Sequence, residues 1–179
     1  MRALMILVAA AAAGSAARAE VVDVQPSGFE VRRAVHIAAA PGKVFAAIVE
    51  VGRWWDPHHT YSGDAANLSL EPRAGGCFCE TLKDGGSVAH MRVVYAAPGQ
   101  ALRLEGALGP LQTLGASGHL SFALAPKAGG TDLVLTYDVG GYAKGGFGGW
   151  AAPVDQVLGE QTVRLKALVE TGKAEPAKP

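Results

Sequence analysis

The sequence predicts an α+β domain in which a curved antiparallel β-sheet wraps around a long C-terminal α-helix, with two short helices after the first strand. Three observations carry this. From Asn67 to Val139, short stretches of alternating apolar and polar residues follow one another, separated by turn signals at Pro72, Asp84-Gly85, Pro98-Gly99, Pro110 and Gly129-Gly130. That is the pattern of successive hairpins, with no βαβ unit in it. The stretch from Trp150 to Thr171 repeats apolar residues at i, i+3 and i+4, the stripe of an amphipathic helix. Between the first strand and the hairpins, Pro41 opens a short helix, a position that tolerates its missing N–H.

The first strand is read at Phe29–Ala38, after a short lead from Val21 to Gly28. Val44, Phe45 and Ile48 give the following helix one apolar face, Gly52 ends it, and a second helical turn closes on Trp54-Trp55. His58–Ala66 is a polar, Gly-containing loop. Strands are then expected at Asn67–Glu71, Gly76–Leu82, Val88–Tyr95, Ala101–Glu105, Gly118–Ala125 and Asp132–Val139. Alternation assigns Leu102, Leu104, Leu120, Phe122, Leu124, Leu133, Leu135, Tyr137 and Val139 to the face that meets the helix. Ala89, Met91, Val93 and Tyr95 are placed inward, with His90 and Arg92 outward. In the last helix, Trp150, Val154, Val157, Leu158, Gln161, Leu165 and Leu168 form the buried stripe, and Gly172 is the stop.

The N-terminus has the anatomy of a secretory signal: Arg2, an apolar core from Ala3 to Ala13, and an A-x-A site at Ala17-Arg18-Ala19. The sequence thus divides into a signal peptide at 1–19, one domain at 20–172 and a polar tail at 173–179. The apolar run falls well short of the ~20 residues of a membrane-spanning helix, so a cleaved signal is expected, and a periplasmic or secreted product. Of 16 basic residues, removal of Arg2 and Arg18 leaves 14 against 16 acidic ones, a formal charge of −2. Nucleic-acid binding rests on a basic surface, so that class is set aside.

Several segments carry a resemblance in order and spacing. These are Ala34–Pro57 with its Pro-opened helix and paired tryptophans, Leu70–Phe78 (LEPRAGGCF), Val93–Leu104 (VVYAAPGQALRL), Leu133–Tyr137 (LVLTY) and the terminal helix. Together they resemble the START/Bet-v-type helix-grip (SRPBCC) superfamily, in particular its branch related to chaperone ATPase activators and polyketide cyclase-like proteins. The resemblance covers nearly the whole mature chain and implies a cavity between sheet and helix. It does not imply one reaction.

Candidate site residues follow from the faces. If Asp84-Gly85 forms a two-residue turn, Lys83 pairs with Gly86, Cys79 with His90 and Cys77 with Arg92. Phe78 and Glu80 then face the cavity, and Cys77, Cys79 and His90 lie together outside. As a metal site the trio is poor, because Cys-x-Cys on a flat strand is not a chelating turn and no fourth ligand is evident. It reads instead as two half-buried thiols. A mutual disulfide is not expected, since Cβ atoms two residues apart on a strand are about 6.7 Å apart and a disulfide needs about 3.8 Å. Glu80 on an apolar face either finds a partner, for which Tyr95, Tyr137 and Arg73 are candidates, or reaches solvent from the strand end, the reading favoured here. The His58-His59 pair has only Asp56 nearby as a further metal donor and reads as a rim. The segment Gly140–Trp150 lacks a phosphate-loop order and reads as a mobile gate plugged by Tyr142 and Phe147.

The expected function is that of an exported binding protein enclosing a small apolar or lipid-like molecule, lined by Trp54, Trp55, Tyr61, Phe78, Glu80, Met91, Phe122, Tyr137, Tyr142, Trp150 and Val154. No cofactor and no metal are invoked. The alternatives are a cyclase- or hydrolase-like enzyme using Glu80 with a tyrosine as an acid/base pair, and a partner-binding module like the chaperone activators. Export argues against the latter, and binding is favoured over catalysis. The ligand and the oligomeric state are left open.

Overall fold

Alternating side chains build an eight-stranded sheet whose every neighbouring pair is antiparallel. The computed structural model describes residues 18–175. The strands are β1 (Arg18–Gln25), β2 (Gly28–Ile37), β3 (Leu68–Leu70), β4 (Cys77–Thr81), β5 (Ser87–Ala97), β6 (Ala101–Gly106), β7 (Gly115–Lys127) and β8 (Gly130–Tyr142). Their order is β1-β2-β8-β7-β6-β5-β4-β3, so β1 and β3 are free edges and the sheet is open. Between β2 and β3 come helix α1 (Pro41–Val49) and three single turns of 3₁₀ helix. Helix α2 (Ala151–Thr171) follows β8 and crosses the concave face, packing on β2, β1 and α1.

Strand β1 occupies the stretch that the sequence offers only as a lead. Val21, Val22 and Val24 are each more than a third exposed, so no apolar face marks it. The export signal lies outside the described residues, apart from Arg18 and Ala19, which begin β1. Of the polar tail, only residues 173–175 are described.

The core is the inner face that alternation assigns. Leu102, Leu104, Leu120, Phe122, Leu124, Leu133, Leu135, Tyr137 and Val139 are all buried against Val31, Ile37 and the apolar face of α1. Helix α1 buries Val44, Phe45 and Ile48 as its spacing dictates, but it ends at Val49 rather than at Gly52. Gly52 matters instead for a close approach between two loops. A Cβ there would sit 2.8 Å from the Ala65 carbonyl oxygen, so only glycine fits.

Helix α2 is anchored unevenly. Leu158, Gln161, Leu165, Leu168 and Val169 are buried, whereas Trp150, Val154 and Val157 at its N-terminal end are only half-buried. The apolar stripe is continuous in sequence, so the change in burial marks a place where the sheet falls away from the helix.

Strand β5 departs most from simple alternation. The β4–β5 turn spans Lys83, Asp84 and Gly85, with Asp84 and Gly85 both at positive φ, so Leu82 rather than Lys83 pairs with Gly86. Near the turn the register is therefore shifted by one from the expected pairing, and Cys79 faces Ala89. Further on, Cys77 does face Arg92 and Phe78 faces Met91. The difference is absorbed by a bulge in which His90 is the extra residue, and a second bulge follows at Val94. Bulges change which face a strand presents. His90 consequently turns inward and is buried, while Ala89 and Tyr95 turn outward, each opposite to expectation.

The same strand pair corrects the thiols. Cys77 and Cys79 are joined in a disulfide, their Cα atoms drawn to 5.4 Å, within the bridging range and well short of flat-strand spacing. With His90 inside and the cysteines paired, the outer trio does not assemble. Among the described residues, no group of three His, Cys, Asp or Glu is placed to hold a metal.

Candidate ligand cavity

Where the sheet falls away from the first turns of α2, a cavity of about 400 Å³ opens. Trp150, Pro153, Val154, Val157 and Leu158 form its helical wall. Leu68, Phe78, His90 and Tyr137 come from the sheet. The segment His58–Tyr61 and the loop Leu108–Leu111 make the rims, and Trp55 closes one end. The wall is mostly hydrocarbon and aromatic, with few polar groups, as is usual for small-molecule pockets.

Local sequence explains how each side chain is held. Asp56 accepts from the His58 N–H at 2.9 Å, capping the 3₁₀ turn Pro57–His59 that carries the rim. The Trp55 indole donates to the His59 carbonyl at 3.0 Å and packs edge-on against Phe78, their ring centroids 5.6 Å apart. Tyr61 bridges the two rims: its hydroxyl donates to the Gly109 carbonyl at 3.0 Å while half of the residue remains exposed. The Tyr137 hydroxyl accepts from the Leu108 N–H at 3.1 Å and leans on the Gly106 carbonyl at 3.4 Å, so it pins the opposite rim from below. Burial pushes the Tyr137 phenol up to about 12, so it stays protonated.

Glu80 lies inward, as alternation requires, but it is buried rather than reaching solvent, and its partners are none of the three expected. Its carboxylate accepts from the backbone N–H groups of Tyr61 (3.1 Å) and Ser62 (2.5 Å) and from His90 Nε2 (2.9 Å). Tyr95 is exposed beneath Arg103, Arg73 pairs with Glu71, and Tyr137 is committed as described. Burial on its own would raise the Glu80 pKa, but the bonds from Ser62, Tyr61 and His90 outweigh it and hold the carboxyl below its ordinary value. For His90, burial lowers the pKa and the Glu80 bond opposes this only in part. The pair is therefore a carboxylate and a neutral imidazole, with the proton on Nε2 because a carboxylate can only accept. The His90 ring packs against both Phe78 and Tyr61, at centroid distances of 5.0 and 5.9 Å.

Of the eleven residues expected to line the site, Trp55, Tyr61, Phe78, Tyr137, Trp150 and Val154 meet around this cavity. The other five lie elsewhere. Trp54 is buried beside Trp55 and donates to the Ala47 carbonyl. Phe122 is core, and Glu80 stands behind His90 rather than at the wall. Met91 lines a second cavity of about 470 Å³ with Arg92, Glu105 and Gln112. Tyr142 is 72% exposed, and Phe147, expected as a gate plug, is wholly buried against Phe29. Sequence reading missed His90 because it assumed an unbroken strand. The available signal was a change of phase in the apolar pattern, Val88 being out of step with Met91 and Val93.

An open antiparallel sheet gripping a terminal helix over an apolar cavity defines a protein of the SRPBCC helix-grip superfamily. Within it, the chain belongs to the polyketide cyclase/dehydrase and lipid transport family, whose sequence pattern matches residues 28–170. No curated protein matches in sequence. Among solved structures, the chain is similar to the Chromobacterium violaceum protein CV1439, with 19% identity and a TM-score of 0.58 over 79% of this chain and 96% of that one. It is similar to the Aha1 protein of Colwellia psychrerythraea, solved as a dimer, with 17% identity and a TM-score of 0.57 over 80% and 98%. DynU16, from the dynemicin biosynthetic locus, gives 22% identity and a TM-score of 0.58 over 81% of this chain and 48% of that one. These likenesses establish the fold. Family membership indicates a ligand-binding protein of the SRPBCC type.

Proposed function

We propose that this protein is exported and encloses a small apolar or lipid-like molecule between its sheet and the N-terminal half of α2. The observation that carries the reading is the cavity itself. Its roughly 400 Å³ lies beneath half-buried Trp150, Val154 and Val157, within the range of about 300–1,000 Å³ typical of small-molecule sites. A stripe of apolar side chains left partly uncovered by its own sheet has surface to bury against a guest. The family's association with lipid transport and polyketide chemistry supports a hydrophobic cargo. No described helix is long and apolar enough to cross a membrane.

Export is supported by the Arg2, Ala3–Ala13 and Ala17-Arg18-Ala19 pattern and by the paired Cys77 and Cys79. Disulfides persist in oxidising compartments and are rare in the cytosol. The acid/base pairing of Glu80 with a tyrosine has no support, because each partner is bonded elsewhere. Native mass spectrometry of protein taken from its own cell envelope tests both parts at once. The expected result is a chain beginning at or next to Glu20 that retains a non-covalent small molecule. An intact N-terminus would overturn export, and protein that neither retains nor takes up any apolar compound would overturn enclosure.

A further inference from the structure

We infer that the molecule held in the cavity carries a hydroxyl that donates a hydrogen bond to Nδ1 of His90. This rests on the enclosure reading above and adds the chemical class of the guest: an apolar body with a neutral O–H, as in a phenol, an enol or an alcohol.

The bulge in β5 is the first support. Without it His90 would face outward. With it, an imidazole is set among apolar side chains in the cavity wall. The second is the fixed ring. Glu80, itself tied to the Tyr61 and Ser62 amides, accepts the hydrogen bond from Nε2–H and so leaves Nδ1 an acceptor. Phe78 and Tyr61 both pack against the ring, and both line this cavity, whereas neither lines the second one that His90 also borders.

The third support is the remaining polar inventory of the wall. The hydroxyls of Tyr61, Thr60 and Tyr137 and the Trp55 indole are engaged with backbone groups, while at the more exposed rim His58 and His59 each bond one ring nitrogen to a carboxylate, and the Trp150 indole can only donate. Nδ1 of His90 has no hydrogen-bond partner among the described residues. An acceptor held in place yet unused by the protein is open to a donor from a guest in the cavity that His90 lines. A carboxylate guest would instead meet a lone pair backed by the charge of Glu80, so the site disfavours anionic head groups.

Three probes of one shape test this: 2-naphthol, its methyl ether and 2-naphthoate, titrated into the full chain at about pH 7.5, above the ordinary histidine range. Tryptophan emission or calorimetry reports binding. 2-Naphthol is expected to bind about tenfold more tightly than the ether, the size of one good hydrogen bond, with naphthoate weakest. In His90→Phe, which keeps an aromatic ring packed against Phe78 and Tyr61, the naphthol and the ether should bind with near parity.

Should that variant fail to fold, histidine-labelled native protein gives the same answer by nitrogen NMR. The acceptor-type resonance of His90, assigned through its contacts to the Tyr61 and Phe78 rings, should move with 2-naphthol and stay with the ether. Equal binding of naphthol and ether to the native protein, a preference that survives His90→Phe, an unmoved resonance, or tighter binding of naphthoate would each overturn the inference while leaving enclosure intact. Failure of all three probes to bind would overturn the inference, and enclosure would then stand or fall on the uptake of any other apolar compound.

Discussion

Replacing Glu80 with Gln keeps the shape of a buried side chain and changes only what its far end can accept. In the native protein two backbone N–H groups and an imidazole N–H converge on one carboxylate. A glutamine amide has one oxygen. Placed to accept from Ser62, it turns its NH₂ toward the Tyr61 N–H and His90 Nε2. His90 can answer by moving its proton to Nδ1 and accepting at Nε2, but the Tyr61 N–H then faces another donor. The loss is one charge-assisted bond, worth about 1.5–3 kcal/mol, together with weakening of the bond to Ser62. We expect Glu80→Gln to cost about 2–3 kcal/mol in urea unfolding at neutral pH, seen as a lower midpoint with an unchanged slope. The pH dependence is a sharper signature. A carboxyl held below its ordinary value stabilises the fold fully above about pH 4.5, and that contribution drains away as pH falls through the native value. The gap between native protein and variant should therefore be constant above the ordinary histidine range, where His90 is neutral in both, and close once pH falls through the native carboxyl value. Equal midpoints at neutral pH, or a gap that persists in acid, would refute the assignment of Glu80 as an ionised, triply bonded group.

Other outcomes follow from particular contacts. Alkylation of unfolded protein without reductant should modify neither Cys77 nor Cys79, and both after reduction; intact mass reads the difference. Val154→Phe should fill the cavity from the helix side, leave the fold intact by circular dichroism and reduce uptake of apolar probes at least tenfold. A Cβ on Gly159 would sit 2.7 Å from the Arg33 guanidinium, which is bonded to Asp155 at 2.7 Å. Gly159→Ala should thus forfeit most of the ~1 kcal/mol that glycine removal ordinarily gains within a helix, and recover it in an Arg33→Ala background. Leu158→Ala removes a fully buried side chain at the cavity wall and should cost about 2–5 kcal/mol, measured by the shift in unfolding midpoint.

The sheet was legible because one face of it is buried, and a period of two then sorts every side chain. From Leu102 to Val139 that logic holds at each position of three consecutive strands. It fails in β5, where two residues are inserted without any change in composition. His90 and Val94 are ordinary strand residues; His90 is displaced by a three-residue turn where Asp84-Gly85 also suits a two-residue one, and the bulge at Val94 belongs to the separate pairing with β6. The buried pairing of Glu80 with His90 was illegible for the same reason, since it exists only in the shifted register. The disulfide was missed because the expectation used ideal strand spacing, and β4 is contracted between Cys77 and Cys79. The cavity was legible as an implication of the fold, but its position under the N-terminal half of α2 depends on how the sheet curves, which no single residue announces. Tyr142 was assigned to it by proximity in sequence to the helix, and the strand carries it past the cavity into solvent.

The strand order also has a consequence for how the chain is made. On the side away from β1, β2 finds its partner only in β8, with paired residues such as Val31 and Tyr137 separated by roughly a hundred positions, the kind of long-range closure that slows folding. Until the last strand has been synthesised, Phe29, Val31, Val35 and Ile37 form an apolar edge with nothing to bury it, and an unpaired edge invites association with other chains. Helix α2 comes later still, and it supplies one wall of the cavity. Capture of a guest is therefore an event of the finished chain: the nascent one has no pocket to fill and needs its apolar strands shielded while it waits.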